Sequence, residues 1–201
     1  MYRLNDRGIF IAHPKIASRS IQRALQPVGW AQVQGRHDID EAQIEQVKAA
    51  GGTIACCVRN PYDVFISWYY HGVVSNAVRT KRYGHITPFT DWLPGVLRHG
   101  NGYIEKGLFY GSKYCDTIIR YETLLPDLNA WLESFEHETV ELPMVGKATA
   151  RNSRAYQTFY DGQTEMDVRV YAAKELEEFG YEFDQNGEYG LLSTGLYGRI
   201  E

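Results

Sequence analysis

Gly8-Ile9-Phe10-Ile11-Ala12-His13-Pro14-Lys15-Ile16-Ala17-Ser18-Arg19-Ser20-Ile21 is the stretch on which the reading of this chain turns. The apolar run Gly8 to Ala12 predicts a buried strand. From Ser18 the apolar residues Ile21, Ala24 and Leu25 recur at helical spacing, which predicts a helix over Ser18–Leu25. Between the two lies a tight loop with Pro14 and Lys15. A strand, a lysine-bearing loop and a helix N-terminus together make a cradle for an anionic phosphate. Unpaired backbone N–H groups and the positive end of the helix dipole face one point there. Lys15 adds a movable charge. The loop lacks the Gly-Lys-Ser/Thr ending whose hydroxyl ligates magnesium in nucleotide-hydrolysing P-loops. A Pro-Lys pair after a strand also describes an ordinary loop with a surface lysine, so its meaning depends on what shares its edge of the sheet.

Working outward, Trp30–Val33 predicts a second strand, and Asp38 with Glu41 predicts a capping box opening a helix that reaches Ala50. Gly51-Gly52 ends it. Thr53-Ile54-Ala55-Cys56-Cys57-Val58 is apolar on both faces, as a central parallel strand is. Pro61 suits the first turn of a helix running to about Val74. The segment 76–104 is irregular, broken by Gly84, Pro88, Pro94, Gly95, Gly100 and Gly102, with a helix around Phe89–Leu97. Such an insertion reads as a lid or substrate wall. Asp116–Arg120 predicts a strand, followed by apolar residues at helical spacing from Leu124 to Phe135. Thr164 is placed as the cap of a last helix through Phe179, stopped by Gly180. The tail from about 184 to 201 is Gly-rich. Strands alternating with helices imply one α/β sandwich, residues 1–201, around a mainly parallel sheet. Ligands then belong at the carboxyl ends of the strands, just where Lys15 and Arg59 fall.

A chain of 201 residues is long enough to bury a full core as one domain. Its net charge of −4 supplies no global field for nucleic acid or an anionic membrane, so an anionic ligand needs a local cluster of cations. No apolar stretch approaches the roughly 20 residues of a membrane span. The polar start Met1–Arg7 does not resemble a signal peptide, and the expectation is a soluble cytoplasmic protein. Cys56, Cys57 and Cys115 are an odd number, two of them adjacent, and read as three buried free thiols of a reducing compartment. No Cys or His pair has zinc spacing.

Arg59-Asn60-Pro61-Tyr62-Asp63-Val64-Phe65-Ile66-Ser67 is the second informative segment. Arg59 leaves a strand and Ser67 lies two turns into the next helix. Together they can grip a phosphate, the arginine bidentately and the serine through its hydroxyl. Two phosphate sites on one sheet edge fit a nucleoside carrying phosphates at both ends. The competing structural role for Arg59 is an ion pair with Asp63 or Glu122.

With these residues in view, the chain resembles the sulfotransferases that use 3′-phosphoadenosine 5′-phosphosulfate (PAPS), most closely the carbohydrate-type branch. Pro14-Lys15-Ile16-Ala17-Ser18-Arg19-Ser20 is similar to the family's 5′-phosphosulfate loop. Arg59-Asn60-Pro61, with Ser67 eight residues after the arginine, is similar to its 3′-phosphate site. Arg120-Tyr121-Glu122-Thr123-Leu124 resembles the Tyr-Glu-x-Leu segment, and Tyr160-Asp161 through Phe183 the usual end of the domain. The likeness covers nearly the whole chain and is weakest between about 76 and 104. Arg19 stands where the family usually has Thr or Ser, and Val64 where many carbohydrate-type members carry Arg.

The resemblance implies a P-loop-NTPase-like three-layer sandwich and an in-line, metal-independent sulfuryl transfer from PAPS to a hydroxyl, leaving 3′,5′-adenosine bisphosphate. The acceptor it implies is a saccharide or glycoconjugate. Lys15 would steady the leaving phosphate as charge develops, while Pro14, Ala17, Ser18, Arg19 and Ser20 cradle it. Arg154, in the polar cluster Arg151-Asn152-Ser153-Arg154, is placed over the nucleotide. His37 is the first choice of general base, since its near-neutral pKa suits the task. His71, His13 and Glu105 are the competitors. Trp92, Tyr103 and Tyr110 are candidates for stacking on a sugar. The alternatives are a P-loop-like nucleotide kinase and a non-catalytic nucleotide-binding module. The first needs a Walker-type loop and a magnesium site that the sequence does not display.

Overall fold

The computed structural model describes residues 1–33, 35, 37–74, 86–100, 107–143 and 154–184. In chain order the elements are β1 (Tyr2–Leu4), β2 (Gly8–Ile11), α1 (Ser18–Leu25), β3 (Ala31–Gln32), α2 (Glu41–Ala49), β4 (Thr53–Val58) and α3 (Pro61–Tyr69). A π-helical turn, Tyr70–Val74, extends α3. Then come α4 (Phe89–His99), β5 (Thr117–Arg120), α5 (Leu124–Glu133), α6 (Gly162–Tyr171) and α7 (Ala173–Phe179). The fold is α/β. Glu105, Tyr103, Arg151, Asn152, Ser153 and most of the tail lie outside the described residues.

One open sheet has the order β3-β1-β2-β4-β5. β2, β4 and β5 are mutually parallel, with Ile9 opposite Ile54 and Cys57 opposite Ile119. β2 is buried along its whole length and β4 from Ile54 to Val58, which is why both read as continuous apolar runs rather than alternating ones. α2 packs on β2 and β4, and α5 on β5, while α3 packs with α4 and α6. No helix among the described residues is long and apolar enough to cross a membrane.

The sheet is mixed rather than mainly parallel. Tyr2–Leu4, expected as a polar lead-in, is a strand antiparallel to both β2 and β3. Met1 and Tyr2 are fully buried, whereas Arg3 turns outward to pair with Asp6 at 2.6 Å. The turn into β2 places Asn5 at φ 45° and bonds Arg7 N–H to the Leu4 carbonyl at 3.0 Å. Asn tolerates that left-handed region better than most residues.

Three helix ends also differ from expectation. α2 is capped by Asp40, whose carboxylate accepts the Gln43 N–H at 3.2 Å, not by Asp38. Asp161 caps α6 and Thr164 is the reciprocal third residue of that capping box. The last helical stretch is two helices broken at Ala172, and Gly180 stops the second at φ 63°. Cys56 and Cys57 are buried free thiols as expected, but Cys115 is only half-buried.

Candidate functional site

The carboxyl ends of the three parallel strands meet at one edge, and hydrogen bonds stitch them together. Arg59, just past β4, donates to the carbonyl of Lys15, just past β2, at 2.9 Å. Asn60 N–H donates to the carboxylate of Glu122, just past β5, at 3.0 Å. The Arg59 guanidinium lies over the Tyr121 ring, 4.0 Å from its centroid.

The β2–α1 loop has an unusual backbone. Lys15 and Ala17 are both left-handed, at φ 65° and 62°, with Ile16 between them fully buried as an anchor. Each such non-glycine conformation costs about 1–3 kcal/mol. Alternating hand of this kind turns successive N–H groups to one side, an anion-binding concavity. Ala17 is the N-cap of α1 and carries no capping oxygen. The N–H groups of Ser20 and Ile21 bond to the Ala17 carbonyl at 2.8 and 3.1 Å. Those of Ser18 and Arg19 meet no backbone acceptor among the described residues. Ser18 and Ser20 are buried, and Arg19 is exposed.

Positive charge is crowded at this point. Burial of the Lys15 ammonium, and then repulsion from Arg59 and Arg19, pulls its pKa down to about 8. Arg59 is 6 % exposed and Asp63 fully buried. Arg59 donates to Asp63 from Nε at 2.7 Å and again from a terminal nitrogen. The ion pair weighed against the phosphate role is therefore present, and it aims the guanidinium along the face of α3. Ser67, half-buried, lies four residues beyond Asp63 on the same side of α3. His71 follows by four more, in the π-helical turn. Its imidazole pKa is lowered chiefly by the Lys15 charge, then by burial and Arg19. His71, a competitor for the role of base, thus lies within electrostatic reach of the cradle.

The histidines divide. His13 is fully buried; its Nε2 accepts the Gly111 N–H at 3.0 Å, and its Nδ1 donates to the Cys57 carbonyl at 3.2 Å. Both ring nitrogens are spent, and burial pulls the pKa down to about 4. His13 is a neutral strut, not a base. His37 points Nδ1 at the Ala12 carbonyl at 2.8 Å. That bond assigns the proton to Nδ1 and the lone pair of the neutral ring to Nε2, the form a general base needs. Its own carbonyl accepts the Tyr110 hydroxyl.

Other expected residues are placed differently. Tyr110 packs its ring on His13, 5.4 Å between centroids, so both ends of this side chain serve the histidines. Gly111 is equally structural, since a Cβ there would come within 2.8 Å of His13 Nε2. The sequence offers Tyr110 only as a candidate for stacking on a sugar, and nothing in it marks Gly111. Trp92 packs on Tyr69 and Phe89. Trp68, Tyr69 and Tyr70 are core residues, as their helical spacing implies. Val64 is buried in the core. Glu122 bridges Asn60 N–H and the Tyr181 hydroxyl, the latter at 2.8 Å, rather than serving the helix that follows it. Arg154 lies over the Phe159 ring at 5.1 Å. Among the described residues no cluster of His, Cys, Asp or Glu could hold a metal ion.

No family model, curated protein or solved structure matches the chain.

Proposed function

We propose that the chain binds PAPS and transfers its sulfuryl group to a hydroxyl of an acceptor. The observation that carries this reading is the crowding of Lys15, Arg19 and Arg59 around an uncapped helix N-terminus. With Arg59 already paired to Asp63, the Lys15 and Arg19 charges leave the cradle net positive, which suits a polyanion. PAPS supplies, when bound, a sulfuryl group already activated by its anhydride bond to phosphate. The β2–α1 loop, through Pro14–Ser20, holds the 5′-phosphate end, and Arg59 with Ser67 holds the 3′-phosphate. Lys15 offsets charge developing on the leaving phosphate oxygen. His37 takes the acceptor proton at Nε2. The carbohydrate-type resemblance, taken alone, implies a saccharide hydroxyl as the acceptor.

Thermal-shift titration separates the donor classes. Stabilisation by 3′,5′-adenosine bisphosphate, and none by magnesium ATP, is the expected result. Stabilisation by magnesium ATP alone would overturn it in favour of a kinase. Transfer of labelled sulfate from PAPS to a panel of glycans and phenols then distinguishes an enzyme from a nucleotide-binding module. Lys15→Ala, folded by circular dichroism, is expected to lose transfer, and wild-type turnover in it would remove Lys15 from the mechanism.

A further inference from the structure

Beside the cation cluster, the end of α3 opens into a cavity of about 480 Å³. Its walls are aromatic: Tyr69 and Tyr70 from α3 and its π-turn, Phe89 from α4, and Phe159. These rings hold one another in edge-to-face contacts, Tyr69 on Phe89 at 5.5 Å and Tyr70 on Phe159 at 5.6 Å. The Tyr69 hydroxyl is tied to the Thr87 carbonyl at 2.8 Å. A slot built this way is set before any ligand enters, which lowers the ordering cost of binding.

The polar lining is narrow in kind. Arg154 is the cationic group, stacked on Phe159, and Thr90 and Thr158 add hydroxyls. Among the described lining residues none is acidic and none carries an amide. A saccharide, with hydroxyls around its ring, is held by carboxylates, which accept, and by amides, which both accept and donate. A flat apolar ring with one anionic substituent matches the aromatic walls and the guanidinium of Arg154.

The cavity also shares an element with the cation cluster. Tyr70 and Val74, in its wall, belong to the π-turn that carries His71, and His71 feels the charges of Lys15 and Arg19. The cavity and the proposed donor site therefore share one turn of the chain.

The geometry points to this cavity as the acceptor site, taking a phenol that bears a carboxylate or similar anion, with Arg154 reading the anion and the aromatic wall lining the arene's slot. This rests on the donor reading above for the word acceptor, but the binding site stands on its own. It assigns Arg154 to the acceptor rather than to the nucleotide.

Calorimetric titration of the full chain tests it, with 4-hydroxyphenylacetate, its neutral amide and N-acetyllactosamine as probes, each with and without 3′,5′-adenosine bisphosphate. The expected result is that the carboxylate binds about tenfold or more tighter than the amide. That preference disappears in Arg154→Ala, and the disaccharide is weakest. The carboxylate and the bisphosphate bind together. Tighter binding of the disaccharide, an unchanged preference in Arg154→Ala, or competition between carboxylate and bisphosphate would overturn the assignment. If the bisphosphate does not bind while the Arg154-dependent preference persists, the donor reading falls and the aryl-anion site remains.

Discussion

Arg59 donates to the Lys15 carbonyl at 2.9 Å, so the arginine leaving β4 is bonded to the loop leaving β2. Two segments 44 residues apart in the chain are thereby one rigid cationic unit. The bond also helps to hold Lys15 at its left-handed φ of 65°. Asp63, beneath, anchors Arg59 from α3, and Tyr121 covers the guanidinium face. Residues from three strand ends therefore fix one charge.

Asp63→Ala removes the buried carboxylate and strands the guanidinium. Breaking a buried ion pair from one side costs about 3–5 kcal/mol, to be read as a lowered urea midpoint. If Arg59 meets a phosphate, 3′,5′-adenosine bisphosphate replaces the missing negative charge. The bisphosphate is then expected to raise the melting temperature of Asp63→Ala more than that of the wild type. Equal shifts would mean that Arg59 serves Asp63 alone.

The parallel half of the sheet and the two loops beyond it are legible in the sequence because burial on both faces leaves unbroken apolar runs, as in Thr53–Val58. The antiparallel half is not. In Tyr2–Leu4 only Tyr2 and Leu4 face the core, and the intervening Arg3 with the polar Asn5-Asp6-Arg7 turn masks the alternation. Capping spacing misleads in the same way, since Asp38-x-x-Glu41 and Asp40-x-x-Gln43 both fit the pattern, and it is Asp40 that pairs with Gln43. Of the candidate site, the placement of Lys15 and Arg59 at one sheet edge can be read from the strand ends they follow, and the structure joins them there. The distant residues that hold the histidines cannot be read so. Tyr110 and Gly111 reach His37 and His13 across sequence separations of 73 and 98 residues, with no local pattern to announce it.

If the cradle holds an anion through the Lys15 ammonium, whose pKa is about 8, that binding is pH-dependent. Below pH 8 the amine is charged and available to phosphate, and above it the charge is lost. Affinity for 3′,5′-adenosine bisphosphate is expected to fall as pH rises from about 7 to 10, by up to about tenfold per unit beyond the midpoint. Lys15→Met should bind more weakly and show a flatter profile, as measured by calorimetry. Stability of the ligand-free protein runs the other way. The unfolded chain holds the Lys15 proton more tightly, so this group favours folding increasingly from about pH 8 toward 10.5.

His13 supplies a separate acid response. With its pKa pulled from 6.5 to about 4, the unfolded chain binds the extra proton between those values. Stability attributable to this group is complete above pH 6.5 and falls as pH drops toward 4, by about 3 kcal/mol in all. Unfolding curves between pH 7 and 4 measure it. His13→Gln, which keeps a donor and an acceptor without a titratable ring, should shed that slope while losing some packing against Phe109 and Tyr110. Gly111→Ala drives a methyl to within 2.7 Å of Ile11 Cγ2 and 2.8 Å of His13 Nε2. It is expected to cost about 1–3 kcal/mol through overpacking.

Ala17 tests whether the backbone of the cradle matters beyond its charges. At φ 62° its methyl is strained, and a β-branched side chain fits that region worse. Ala17→Val is expected to lose about 1–3 kcal/mol of stability. Ala17→Gly relieves the strain but frees the unfolded chain, and the two effects should cancel to within about 1 kcal/mol. Bisphosphate binding discriminates further. The N–H groups of Ser18 and Arg19 face the ligand only while residue 17 keeps its left-handed turn. At a temperature where all three proteins are fully folded, Ala17→Val should bind the bisphosphate more weakly, and Ala17→Gly should bind like the wild type. Equal affinity in all three would assign the binding to side-chain charge alone and remove the backbone from the cradle.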